Sequence, residues 1–62
     1  MEVRLREWRT YRGYSQERLA HEAGVTLRSY QRWEHGQVRP NVEDALRLAR
    51  VLRCRVEDLF SE

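Results

Sequence analysis

Glycine at positions 13, 24 and 36, followed by Pro40, cuts the chain into segments too short for anything but brief elements. Between these marks the apolar residues recur at intervals of three and four, not two, which is the spacing of helices. No segment alternates as a strand would. The chain therefore reads as all-α.

The spacing predicts a first helix from about Glu2 to Tyr11. Leu5 and Trp8 stand three apart, Arg9 lies four beyond Leu5, and Gly13 falls just past the last turn, where glycine commonly ends a helix. Ser15 is a good N-cap for a second helix, with Glu17 in the first turn where the helix dipole favours negative charge. Its inward stripe is Leu19, Ala20 and Ala23, and Gly24 stops it after two turns. A third helix begins after the N-cap candidate Thr26 and runs to about Glu34, and Gly36 to Pro40 is a loop. Asn41 caps a fourth helix, with Asp44 three residues on as in a capping box. That helix is expected to bury Val42, Ala45, Leu46, Leu48, Ala49 and Leu52 and to turn Glu43, Arg47 and Arg50 outward. A last helical turn carries Val56, Leu59 and Phe60, with Glu57 and Asp58 early in it. The expectation is a compact five-helix bundle and, at 62 residues, a single domain spanning 1–62.

So short a chain buries only about 60% of the surface its unfolded form exposes. A cleft that encloses a substrate does not fit in such a core. No nucleophile–base arrangement is visible, and Glu22 and Glu34 make no general-base pair. The chain does not read as an enzyme, and no cofactor or small-molecule ligand is expected. No Cys or His spacing suits a metal. The single Cys54 excludes an internal disulfide framework, no apolar run approaches the ~18 residues of a membrane span, and the charged stretch Met1 to Tyr11 is no signal peptide. A cytoplasmic protein without a membrane partner is the expectation. All twelve basic residues are arginine, against ten acids, for a net charge of +2. Arginine suits carboxylates, phosphates and guanine edges, and also surface ion-pair networks. A GC-rich genome accounts for the absence of lysine equally well.

The third helix decides the reading. With Leu27 at 0° and about 100° per residue, Gln31 falls near 40°, His35 near 80°, Arg28 near 100° and Arg32 near 140°. Tyr30, Trp33 and Glu34 fall between about 240° and 340°, so one face is bulky and core-seeking while the other presents two arginines, a glutamine, a histidine and a leucine. A short helix with that outer face, preceded by a two-turn helix and a tight glycine turn, is a helix-turn-helix. Ala20 lets the two helices approach closely, and Gly24 supplies the left-handed turn position.

Ser15-Gln16-Glu17-x-Leu19-Ala20-x-x-Ala23-Gly24-Val25-Thr26, followed by Trp33-Glu34-x-Gly36 and Pro40, resembles the Cro and phage-repressor type of helix-turn-helix domain, the XRE family. The likeness continues through Leu46-x-Leu48-Ala49-x-x-Leu52 and Val56-Glu57-Asp58-Leu59-Phe60, and so covers residues 4 to 60. The resemblance implies a lambda-repressor-like fold of five helices that binds double-stranded operator DNA through helix 3, usually as a dimer. It implies that Gln16 contacts a phosphate and braces helix 3, and that Arg28, Arg32 and Leu27 reach base edges. Thr26 and Ser29 would meet the backbone or flanking bases, and Gln37 and Arg39 would lie on phosphates. Gln31 joins this set by its place on the outer face. Arg9 and Glu34 would form a largely buried ion pair between helices 1 and 3.

Three positions depart from the family pattern. Arg53 stands where glycine often follows helix 4, which implies a strained C-cap. Arg55 stands where a capping serine or aspartate is common, and Tyr30 replaces a branched aliphatic residue. Cys54, where the family usually has an aliphatic residue, reads as buried filler.

The resulting expectation is a sequence-specific transcriptional regulator working as a homodimer on a pseudo-palindromic operator. A second reading is a protein-interaction module of the same fold, an antitoxin or adaptor with a protein partner, for which the low net charge leaves room, and a third is a nucleoid-type binder with little sequence preference. The dimer interface is expected in the C-terminal third. Val51 lies near 180° when Val42 is at 0°, away from the helix 4 stripe, and is the expected contact.

Overall fold

The computed structural model describes residues 2–61. Along the chain it has β1 (Glu2–Val3), α1 (Leu5–Arg12), α2 (Gln16–Ala23), α3 (Leu27–Glu34), α4 (Val42–Leu52), α5 (Val56–Leu59) and β2 (Phe60–Ser61). Three helices start at side-chain caps on the expected residues. Ser15 Oγ accepts from Arg18 N at 3.0 Å, Thr26 Oγ1 from Ser29 N at 3.1 Å, and Asn41 Oδ1 from Asp44 N at 2.8 Å. Each cap satisfies an otherwise orphaned backbone donor and is worth about 1 kcal/mol.

Every helix contributes to one core. Leu5, Leu19, Tyr30, Leu48, Leu52 and Leu59 are fully out of solvent, and the small Ala20, Ala23 and Ala49 are buried in the same cluster. Trp33 is buried beside them, and Cys54 is half-buried against the same cluster.

The ends of the chain add a minor two-strand ladder to the expected all-α, five-helix bundle. Glu2 pairs with Ser61 and Val3 with Phe60 in a two-residue antiparallel ladder, and Arg4 N donates to Leu59 O at 2.8 Å. Helix α1 thus begins at Leu5, not Glu2, and α5 ends at Leu59, with Phe60 in the ladder. The reason is local. Arg4 offers no side-chain cap, so the backbone donors ahead of Leu5 find partners in the other chain end. Two residues are too few to show alternation.

Helix α4 corrects a second expectation. Val42 is 78% exposed and Leu46 48%, whereas Val51 packs against the core. Leu46 and Val51 stand about 110° to either side of the centre of the buried stripe. Periodicity cannot separate two such flanks, and only Val51's is covered.

Residue Arg53 ends α4 in the left-handed region, at φ 57° and ψ 51°, the only non-glycine with positive φ among the described residues. The strain is offset by α1. Arg12 Nε donates to Leu52 O at 2.8 Å and Nη2 to Arg53 O at 3.2 Å, so a cation sits on the negative end of the α4 dipole. The same guanidinium lies over the rings of Trp8 and Tyr11, 5.3 and 4.9 Å from their centres. Arg55 gives α5 no side-chain cap. Asp58 reaches back instead, and its Oδ2 accepts from Arg55 N at 2.9 Å.

Candidate nucleic-acid interface

The turn between α2 and α3 is closed by backbone hydrogen bonds. Gly24 sits at φ 72°, its N–H directed to the carbonyls of Ala20 and His21, and Val25 N donates to Ala20 O at 2.9 Å. That left-handed closure costs glycine nothing and lets Thr26 start α3 two residues later.

Helix α3 then presents the divided faces its spacing implies. Tyr30 and Trp33 are buried; Arg28, Arg32 and His35 are exposed; Leu27, Ser29 and Gln31 are half-buried. Arg28 and Arg32, one turn apart, meet no acid among the described residues. Elsewhere, Arg18 pairs with Glu22 at 3.0 Å, and Arg47 pairs with Asp44 and Glu43 at 3.3 and 3.4 Å. Thr26 is exposed but its hydroxyl is engaged as the cap. Gln37 and Arg39 are exposed on the loop that follows, where Gln37 N donates to Arg32 O at 3.0 Å. Arg39 also borders a groove between α4 and α5.

The inner end of α3 is anchored by Glu34, whose side chain is 1% exposed. Its Oε1 accepts from Arg9 Nε and from Tyr30 Oη, both at 2.8 Å, and its Oε2 accepts from Gln16 Nε2 at 2.5 Å. Arg6 Nε stands 3.9 Å away at the surface. Helices α1, α2 and α3 therefore meet on one carboxylate. Arg9 is 16% exposed and sends its Nη1 to Tyr14 O at 2.9 Å. Burial pushes the Glu34 carboxyl up, but the bonds from Arg9, Tyr30 and Gln16, together with the Arg9 charge, outweigh it and hold the group below its ordinary value. Arg9 is likewise raised: burial acts against the cation and the Glu34 partner prevails. Burial first, then the bond to Glu34, pushes the Tyr30 phenol up. Gln16 is half-buried between this carboxylate and α3, and its Oε1 accepts from Gln31 Nε2 at 3.2 Å.

A family model described as helix-turn-helix matches residues 5–59. The chain belongs to that helix-turn-helix family. An uncharacterized HTH-type transcriptional regulator of Archaeoglobus fulgidus is 40% identical over 60 residues, which cover 97% of this chain and 86% of that protein. Among solved structures, the restriction-modification controller protein C.AhdI from Aeromonas hydrophila is 38% identical, with TM-score 0.85 over 92% of this chain and 86% of the other. The P22 c2 repressor protein, in complex with synthetic operator 9T in the presence of Tl+, is 26% identical. Its TM-score is 0.89 over 98% of this chain and 97% of that one. The helix-turn-helix is α2, the Gly24 turn and α3, and the five-helix, lambda-repressor-like architecture is shared with these structures.

Within this helix-turn-helix, two contacts lay beyond the reading of the residues. The Tyr30 hydroxyl is a donor to Glu34, which the spacing of four on one helix face could have signalled. The bond from Gln31 to Gln16 has no linear signal, because it depends on how α2 crosses α3. No helix among the described residues is long and apolar enough to cross a membrane, and no described group of His, Cys, Asp and Glu could hold a metal ion.

Proposed function

We propose that this helix-turn-helix protein is a sequence-specific DNA-binding transcriptional regulator that lays α3 in the major groove. The observation that carries this is the pair Arg28 and Arg32, exposed one turn apart with no acid partner among the described residues, on a helix whose other face is sealed into the core. Two guanidinium forks at that spacing suit guanine O6 and N7, and each good pair discriminates by about 1–3 kcal/mol. Leu27 offers a thymine methyl an apolar contact, with Thr26 and Ser29 beside it. Gln16 at the start of α2, with Gln37 and Arg39 beyond α3, takes the phosphates. The relatives named as transcriptional regulators and the neighbour seated on an operator support this reading. Its place is the cytoplasm, with the DNA.

The protein acts as a homodimer. One copy spans 27 × 21 × 19 Å. Two half-sites one helical turn apart, about 34 Å, lie beyond the reach of one copy. The expected contact Val51 is half-buried against the core, so the dimer contact moves to the exposed Val42 and Leu46. They line, with Ala45, Val56 and Phe60, a groove of about 500 Å³ flanked by Arg39 and Glu57.

Selection of bound sequences from a random DNA pool tests both parts. The expected result is a two-fold-symmetric site with half-sites about 10 base pairs apart, and affinity that falls steeply with salt. Random output from the selection would overturn the proposal.

A further inference from the structure

Glu34 settles more than the crossing of three helices. An ionised carboxylate only accepts hydrogen bonds. Gln16 therefore turns its Nε2 to Glu34, and its Oε1 is left to accept from Gln31 Nε2 at 3.2 Å. The polarity of one buried carboxylate is thus passed through two amides to the flank of α3. Gln31 spends one N–H on this relay, and its second N–H and its Oε1 hold no partner among the described residues. It stands half-buried, one turn on from Leu27 and one turn before His35.

We infer that Gln31 determines specificity at one adenine, its amide oriented beforehand by the relay from Glu34 through Gln16. The inference rests on the reading of α3 as the major-groove helix. The groups left over decide the base. One donor and one acceptor on the same amide match adenine, which shows N7 as acceptor and N6–H as donor. Guanine shows two acceptors in the major groove and leaves Oε1 nothing to accept. A glutamine held before contact loses less rotamer freedom on binding than one that hangs in solvent. Gln16 and Glu34 are positioning residues in this scheme.

The test compares the full chain with Gln31→Ala, Gln31→Glu and Gln16→Met. Each is titrated against the selected operator and its single-base variants, and the readout is the ratio of affinities among bases, in which uniform losses cancel. Gln31→Ala lowers the preference for A·T at one position per half-site by about tenfold, and Gln31→Glu moves that preference toward cytosine, whose N4 donates. Gln16→Met, which keeps the reading residue and removes its brace, lowers the same preference by roughly threefold. In the free wild-type protein, nuclear Overhauser contacts join the Gln31 side-chain NH₂ to the Gln16 side chain. An unchanged base profile in Gln31→Ala overturns the inference, and absent Overhauser contacts overturn the relay whether or not the Gln16 variant folds. A wild-type protein without base preference overturns the underlying reading of α3 instead, so the two failures are told apart.

Discussion

Glu34 and Leu59 are both shut off from solvent, yet their surroundings share almost nothing. Around Glu34, three side chains from α1, α2 and α3 donate to one carboxylate. Hydrogen bonds are directional, so this arrangement specifies how α2 and α3 cross and which way α3 turns its outer face. Around Leu59 the packing is apolar and local chemistry is poor: α4 ends on a left-handed arginine, α5 has four residues and no side-chain cap, and a groove stays open beside it. Apolar burial is non-directional and tolerates those flaws. The end that carries α3 is specified by polar contacts, and the far end is merely stabilised, with the apolar Val42 and Leu46 left exposed.

The largest expected effect removes the polar anchor. Glu34→Ala leaves Arg9 as an unpaired cation at 16% exposure and strands the Tyr30 hydroxyl, at a cost of about 3–5 kcal/mol. In a domain this small that lowers the melting temperature by more than about 12 °C. A thermal melt showing no change would erase the contrast between the two ends.

Acid should strike the same place next. The folded Glu34 carboxyl lies below its ordinary value of 4.5. Between those two values the unfolded chain binds a proton that the folded chain does not, so stability rises with pH there. The contribution is complete above the ordinary value and is lost as pH falls through the folded one. Urea unfolding at about pH 6 and about pH 3 should show a larger drop for the wild type than for Glu34→Gln. Equal drops would place the acid sensitivity elsewhere.

At the opposite end the effects are small and one has the reverse sign. Arg53→Gly relieves a left-handed residue and should stabilise the fold by about 1 kcal/mol, read from the urea midpoint. A loss there would mean that the Arg53 side chain is needed as well as its backbone. Smallest for the monomer is Val42→Glu, at 78% exposure, which should change its stability by less than about 0.5 kcal/mol. Sedimentation should nevertheless show the proposed dimer gone, and a dimer that persists would move the interface elsewhere.

The contrast also explains which features were legible beforehand. Ser15, Thr26 and Asn41 are readable as caps because a cap needs only four residues of chain. The divided faces of α3 followed from 100° steps. Val42 and Leu46 were misplaced because each flanks a buried stripe, and the stripe's width is set by what packs against it. The terminal ladder went unseen because neither two-residue strand carries a pattern of its own.

By itself the sequence determined the number and order of the helices, the N-caps of α2, α3 and α4, the glycine turn between α2 and α3, and the apolar and basic faces of α3. All of these rest on interactions within a few residues, which any context preserves. Only the tertiary structure decided that Glu34 gathers three helices and passes its polarity through Gln16 to Gln31. It alone decided that Arg12 caps α4 from forty residues away, and that Val51 is covered while Leu46 is not. Those contacts depend on the angles and distances between elements, and such geometry exists only once the elements have packed.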